Sequence, residues 1–235
     1  MKILVLVAAT RRGPFPELVA TAKRTWASVE VDGVDVLFYY GGDRFALDGD
    51  DLTLPVADDL PNLGRKTIAC FAYVLEHREF DVVFRTNVST YVDLPNLRRF
   101  VEENAVATRF YAGKGVSVDG IDFASGMGIF LSRDLVRLLA EEEWDHSYLD
   151  DVAIGKLLRE HGIERRYAPR VIYRRPRDAR SVDVSQFQFR CKTAPTESAS
   201  RAGDVEILLK VHEAFRRARD GDPAPRRTTL LRRRR

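Results

Sequence analysis

The sequence predicts an α/β fold: one domain whose mostly parallel central sheet is covered by helices on both faces. Two observations carry this. Segments of strand and helix periodicity alternate through the first 105 residues, the order that threads a parallel sheet with crossover helices. The first strand, residues 3–9, is apolar without a break, as a strand buried on both faces must be. A length of 235 residues suits one sizeable domain.

The elements follow in order. Residues 16–28 read as a helix, with Leu18, Val19, Ala22 and Trp26 on one side. Residues 34–40 read as a second buried strand, closed by Gly41 and Gly42. Residues 43–62, rich in Asp and Pro, read as loop. Helical spacing returns over 63–77, where Ile68, Phe71, Ala72 and Leu75 recur. Residues 81–85 form a third strand and 95–105 another helix. Ligands of such sheets bind beyond the carboxyl ends of the strands, so residues 10–14, 41–45 and 86–92 are the candidate site loops. The second half is mixed, with strands over 109–116, 122–131 and 164–174 and helices over 133–143 and 149–160. Gly162 is a C-cap for the latter. A final amphipathic helix covers 204–219. Residues 1–222 are expected to form one domain and 223–235 a basic, disordered tail.

Charge and cysteine content narrow the classes of function. Arg226, Arg227 and Arg232 to Arg235 supply six positive charges, and without them the net +3 becomes −3 over residues 1–225. A mildly acidic body argues against a nucleic-acid-binding surface. Cys70 and Cys191 lie in no metal-binding spacing and read as free thiols. The opening "MKILVLVAATRRGP" has an apolar run at the short limit for a leader, with arginines where cleavage would fall, and reads as a buried strand. No apolar run approaches the ~20 residues that span a bilayer. The expected location is cytoplasmic.

Four stretches carry chemistry: "AKRTWAS" at 22–28, "LPNLGRKTIACFAYVLEH" at 60–77, "FRTNVSTYVDLPNL" at 84–97, and the pair "FASGMGIFLSRDLVRLL" and "YLDDVAIGKLLREHGI" at 123–139 and 148–163. In this order and spacing they resemble the β-1,3-galactosyltransferase and fringe group of glycosyltransferases over residues 20–165. The counterparts are that group's Arg-x-Thr-Trp helix, its Lys-Thr helix opening (here Lys66-Thr67), its acidic metal loop, its Ser-Gly-Gly-Gly segment and its Glu-Asp-Val segment. The resemblance implies a GT-A-like fold. It also implies transfer of a hexose from a nucleotide-diphosphate sugar, a UDP-sugar first, to a hydroxyl acceptor such as a glycan. Inversion at the anomeric carbon and a β-1,3 linkage come with it.

Such transfer needs a group to take the acceptor's proton and positive charge on the departing diphosphate. The resemblance puts the base at Asp151, with Asp150 beside the acceptor; on the residues alone, both carboxylates could instead cap a helix. Ser125, Gly126 and Met127 fall by the acceptor, and glycine in a strand often marks close approach of a ligand. Where the resembled group keeps its metal-binding acids, this chain has Asn87, Val88 and Ser89. A neutral amide and a hydroxyl hold hard cations poorly, so Mn²⁺ or Mg²⁺ is not expected to be strictly required. The charge must then come from the protein. Arg11 (with Arg12 beside it), Lys66, Arg85, and Arg190 and Lys192 of "FQFRCKTAP" are the candidates, with Lys192 preferred to Arg190. Asn87 and Ser89 are read as donor contacts. The alternative is a catalytically inactive relative that binds a nucleotide or glycan. The arginine-rich tail could also hold the protein peripherally on an anionic membrane, at ~1 kcal/mol per basic residue.

Overall fold

The computed structural model describes residues 1–193, 196 and 199–221. At its centre lies β1 (Ile3–Ala8), flanked in parallel by β2 (Val34–Gly41) and β5 (Val82–Asn87), with Leu6 aligned to Leu37 on one side and Arg85 on the other. Beyond β2, β4 (Asp51–Leu54) adds in parallel and β3 (Ala46–Asp48) closes the edge antiparallel. Beyond β5 the sheet turns antiparallel through β8 (Ile121–Ser132) and β7 (Tyr111–Val118), ending on β9 (Arg166–Tyr167). The eight-stranded order is β3-β4-β2-β1-β5-β8-β7-β9.

Helices cover both faces, as the continuous apolar strands require. The two-residue period of β1 sends Ile3, Val5 and Val7 to one face and Leu4, Leu6 and Ala8 to the other. The first face packs α1 (Pro16–Lys23), α3 (Leu94–Asn104) and α6 (Ala202–Asp220) through Leu18, Leu97, Val101, Leu208 and Phe215. The second packs α2 (Leu63–His77), α4 (Arg133–Glu141) and α5 (Asp150–Glu160) through Phe71, Val74, Leu135, Ile154 and Leu158. The α/β class, the parallel core strands and the two-faced helix cover match the expectation from the sequence.

Several local expectations are corrected. The helix expected over 16–28 ends at Lys23. Thr21 and Thr25 hydroxyls donate to the carbonyls of Glu17 (2.7 Å) and Thr21 (2.6 Å), Thr25 leaves helical geometry, and a 3-10 turn, Trp26–Ser28, carries Trp26 into the core. The loop expected over 43–62 contains β3 and β4, where Leu52 and Leu54 are buried and Asp51 and Thr53 alternate with them. The strand expected over 164–174 is two, β9 and β10 (Val171–Tyr173), separated by Pro169, which has no N–H to continue a ladder.

β10 joins a second sheet that sequence periodicity did not reveal, in the order β10-β11-β6, with β6 at Thr90–Val92 and β11 at Gln188–Cys191. β11 runs antiparallel to β6, with Arg190 opposite Thr90. Cys70 and Cys191 are free and buried. Among the described residues no helix is long and apolar enough to cross a membrane. The tail expected over 223–235 lies outside the described residues.

Candidate functional site

A cleft of about 540 Å³ opens where β1 and β5 end, at the carboxyl edge of the parallel strands. Its walls are the loop after β1, the stretch that leads into α2, residues 87–89, residues 125–127, the start of α5, and Arg190 and Lys192. Asn87 and Asp151, 64 residues apart in sequence, line the same cavity.

The floor is built from buried charge. Arg85, 2% exposed, pairs through Nη2 with Asp150 Oδ2, while its Nε donates to Tyr39 Oη at 3.1 Å and its Nη1 to the Gly126 carbonyl. Burial works against the Arg85 charge, but Asp150 and Tyr39 more than offset it and its pKa is raised. Burial pushes the Asp150 carboxyl up, opposed by Arg85. Thr67 Oγ1 donates to Asp150 from the first turns of α2, at 3.5 Å.

A second pair lies at the end of β1. Lys66, 3% exposed, donates to Asp58 Oδ1 at 2.9 Å and to the Ala9 carbonyl at 2.8 Å. Asp58 also accepts from Thr10 Oγ1 (2.7 Å), Arg11 N (3.2 Å) and Gly41 N (3.2 Å), so one carboxylate ties together the ends of β1, β2 and the start of α2. Burial lowers the pKa of Lys66, against the pull of Asp58.

Asp151 stands above this floor. Its Oδ2 accepts from Gly126 N at 2.7 Å and its Oδ1 from Val152 N at 3.0 Å. The Gly126 peptide is therefore held from both sides, its carbonyl by Arg85 and its N–H by Asp151. A Cβ on Gly126 would lie 2.8 Å from Arg85 Nη1 and 3.1 Å from Asp151 Oδ2, so a larger residue there must displace one or both. Asp150 and Asp151 occupy the first turn of α5, where Leu149 is the N-cap residue.

The loop after β5 answers for its missing acids. Asn87 Oδ1 accepts from Ser89 N (3.2 Å), Thr90 Oγ1 (3.3 Å) and Arg190 Nη1 (3.1 Å). Val88 is buried. These groups do not fit a divalent cation. Asn87 Oδ1 already holds the Arg190 guanidinium at 3.1 Å, and none of Asn87, Val88 and Ser89 offers the charged oxygen that a hard cation prefers. Among the described residues no group of three or more His, Cys, Asp or Glu side chains is placed to hold a metal ion.

The cleft thus gathers Lys66, Arg85, Asn87, Ser89, Lys192, Ser125, Gly126, Met127, Asp150 and Asp151. Three of these sit differently from a simple ligand contact. Lys66 and Arg85 are buried in ion pairs with Asp58 and Asp150, and the Asp150 carboxylate faces Arg85. Arg11 is not in the lining: its guanidinium stacks 4.1 Å over the Tyr40 ring and donates to Thr53 Oγ1 at 3.1 Å. Its neighbour Arg12 lines the cleft instead. Asp58 escaped sequence reasoning altogether. Its only signal was an acid just ahead of the Lys66 helix, in a stretch read as loop.

The fold and cleft together define an α/β protein with a ligand-sized site at the carboxyl edge of its sheet. No family model matches the chain, and no curated protein is similar to it in sequence. Among solved structures it is similar to a glycosyltransferase involved in the glycosylation of the major capsid of PBCV-1, over 89% of this chain and 99% of that one, at 12% identity and a TM-score of 0.48. It is also similar to the apo-form glycosyltransferase GlyE of Streptococcus pneumoniae TIGR4, over 93% of this chain and 64% of that one, at 12% identity and a TM-score of 0.45. Both likenesses are loose, and the chemistry proposed below rests on the side chains of the cleft.

Proposed function

We propose that this protein is a glycosyltransferase that moves a hexose from a nucleotide-diphosphate sugar, a UDP-sugar first, to a hydroxyl of a glycan or similar acceptor. The transfer inverts the anomeric centre and does not require a bound divalent cation. The observation that carries this reading is one cleft lined by the Asp151 carboxylate and by cationic side chains that include Arg12, Arg190 and Lys192. Its volume of about 540 Å³ lies within the usual range of small-molecule sites.

In this reading Asp151 takes the proton from the attacking hydroxyl, whose oxygen forms the new bond to the anomeric carbon. The bond from that carbon to the diphosphate oxygen breaks, its electron pair leaves on the diphosphate, and the cationic side chains offset that charge. The Gly126 N–H fixes the carboxylate's direction, and Arg85 fixes Gly126. A positioned base contributes roughly 10²- to 10⁴-fold to such a step.

The kinship with the β-1,3-galactosyltransferase and fringe group, and the β-1,3 linkage it implies, belong to this proposal, and linkage analysis of the product tests them. The free thiols suit a reducing compartment such as the cytoplasm. Peripheral membrane contact through residues 223–235 is tested by sedimentation on anionic vesicles with and without those residues.

The central experiment is a mass-spectrometric screen of nucleotide sugars for transfer and hydrolysis in EDTA, with Asp151→Asn alongside. The expected result is turnover by the wild type and none by the variant, which still binds the nucleotide. An Asp151→Asn protein as fast as wild type removes Asp151 from the role of base. Strict dependence on Mn²⁺ overturns the metal-free part, and tight binding of a donor without any turnover identifies an inactive relative.

A further inference from the structure

We infer that Leu60, Leu63 and Leu149 form an apolar acceptor subsite, so that the sugar or alcohol brought to Asp151 carries an alkyl or aryl group beside its reacting hydroxyl. The inference rests on the proposed transfer reaction and names the class of acceptor that it uses.

The three leucines reach the cleft from two directions. Leu60 and Leu63 close the turn that opens α2, where the Leu63 N–H donates to the Leu60 carbonyl at 3.1 Å. Leu149 comes from the segment ahead of α5, which packs on the same turn: a Cβ on Gly64 would meet His146 at 3.4 Å and Trp144 at 3.7 Å. Thr67 Oγ1 joins the two helix starts, lying 2.9 Å from the Leu63 carbonyl and 3.5 Å from Asp150 Oδ2. All three leucines line the cleft, and Leu60 and Leu149 are each 51% exposed. Leu149 stands two residues before Asp151, so this apolar wall adjoins the carboxylate proposed as the base.

A single surface leucine is unremarked in any protein, but leucines gathered on one wall of a ligand cleft offer area for an apolar partner. Position 149 sharpens the point. It is the N-cap of α5, where Ser, Thr, Asp or Asn would accept a backbone N–H, and leucine makes no such bond. The chain forgoes a cap there and keeps an exposed apolar side chain at the mouth of the site. The neighbouring charge also fits an uncharged occupant. Asp59, next to Leu60 in the lining, accepts through Oδ1 from Asn62 N at 3.0 Å and Asn62 Nδ2 at 2.8 Å, neutral donors that leave its charge in place. A carboxylate there disfavours the anionic diphosphate, whereas an alkyl or aryl group gains by leaving water for the leucines.

The test measures binding of methyl, octyl and phenyl β-D-glucoside by calorimetry, below micelle-forming concentrations, with melting temperature recorded for every variant. Each buried methylene tightens binding about fourfold, so octyl glucoside should bind wild type roughly tenfold or more tighter than methyl glucoside. Comparing octyl with phenyl tells a chain from a ring. Leu60→Ser with Leu149→Ser should cut the octyl preference to about threefold or less and leave UDP affinity unchanged. Serine at 149 supplies a cap residue, so the lost preference is not lost folding. No binding of octyl glucoside, equal affinity for octyl and methyl glucoside, or a preference that survives both substitutions overturns the inference. A fall in UDP affinity in the same variants also overturns it, by placing the nucleobase on the leucines. If the octyl preference behaves as expected while no nucleotide sugar is turned over, the apolar subsite stands and the transferase reading falls.

Discussion

Asp58→Asn isolates the carboxylate that organises the base of the cleft. In the folded protein Asp58 is 7% exposed and Lys66 3% exposed, so their contact is a buried ion pair, not a surface one. Removing one charge strands the Lys66 ammonium, which keeps its hydrogen bond to the Ala9 carbonyl, and turns an amide –NH₂ toward donors that had an acceptor. Breaking such a pair from one side costs about 3–5 kcal/mol. For a chain of this size each kcal/mol shifts the melting temperature by about 2–4 °C, so calorimetry should record a fall of about 6–20 °C at neutral pH.

The pH dependence gives the same reasoning a second check. Burial alone would raise the Asp58 pKa, but Lys66, the Thr10 hydroxyl and the Gly41 N–H outweigh it and hold the carboxyl below its ordinary 3.8. A depressed carboxylate stabilises the fold fully above its unfolded pKa and loses that contribution as pH falls through the folded value. The gap between wild type and Asp58→Asn is therefore full at neutral pH and closes below about pH 4. A variant within 1 kcal/mol of wild type at pH 7, or a gap that widens in acid, would refute the argument.

Three further outcomes follow from other parts of the molecule. Gly126→Ala brings a Cβ to 2.8 Å from Arg85 Nη1 and 3.1 Å from Asp151 Oδ2, so the proposed transfer should drop roughly a hundredfold through a displaced base while nucleotide affinity is kept. Steady-state rates and calorimetry check this, and an active Gly126→Ala enzyme contradicts it. Burial pushes the Cys191 thiol up to about 12 and raises Cys70 as well, so iodoacetamide should label neither until the chain unfolds. Stoichiometric labelling of the native protein would count against that. Arg85→Met should leave Asp150 buried without its partner and lower stability by about 3–5 kcal/mol, read by urea titration.

How much of this was legible in the sequence varied with the range of the interactions. The central strands announce themselves because burial on both faces demands unbroken apolar runs, and α2 because its apolar positions recur every turn. β3 and β4 were hidden in an Asp- and Pro-rich stretch because strands of three and four residues are too short for alternation to stand out. β6 was hidden because its partner, β11, lies about a hundred residues away, as with Thr90 and Arg190, and β11 because it is a four-residue strand held between β6 and β10. The site followed the same rule. Asp151 and the residue 125–127 segment were found through local motifs, whereas Asp58 depends on Thr10, Gly41 and Lys66 converging from separate elements. Lys66 and Arg85 were recognised as important cations, but residue type could not tell that acids would meet them underground in the fold.

The small sheet has a consequence for how this protein comes into being. Every strand of the eight-stranded sheet has been synthesised once Tyr167 is added, yet the strand bearing Arg190 is still to come. A nascent chain halted after the large sheet would carry Asp151 and Arg12 and lack the wall that Arg190 and Lys192 form. One wall of the cleft is thus added late in synthesis, by a segment that also pairs with β6 and donates from Cys191 N to the Ser89 carbonyl.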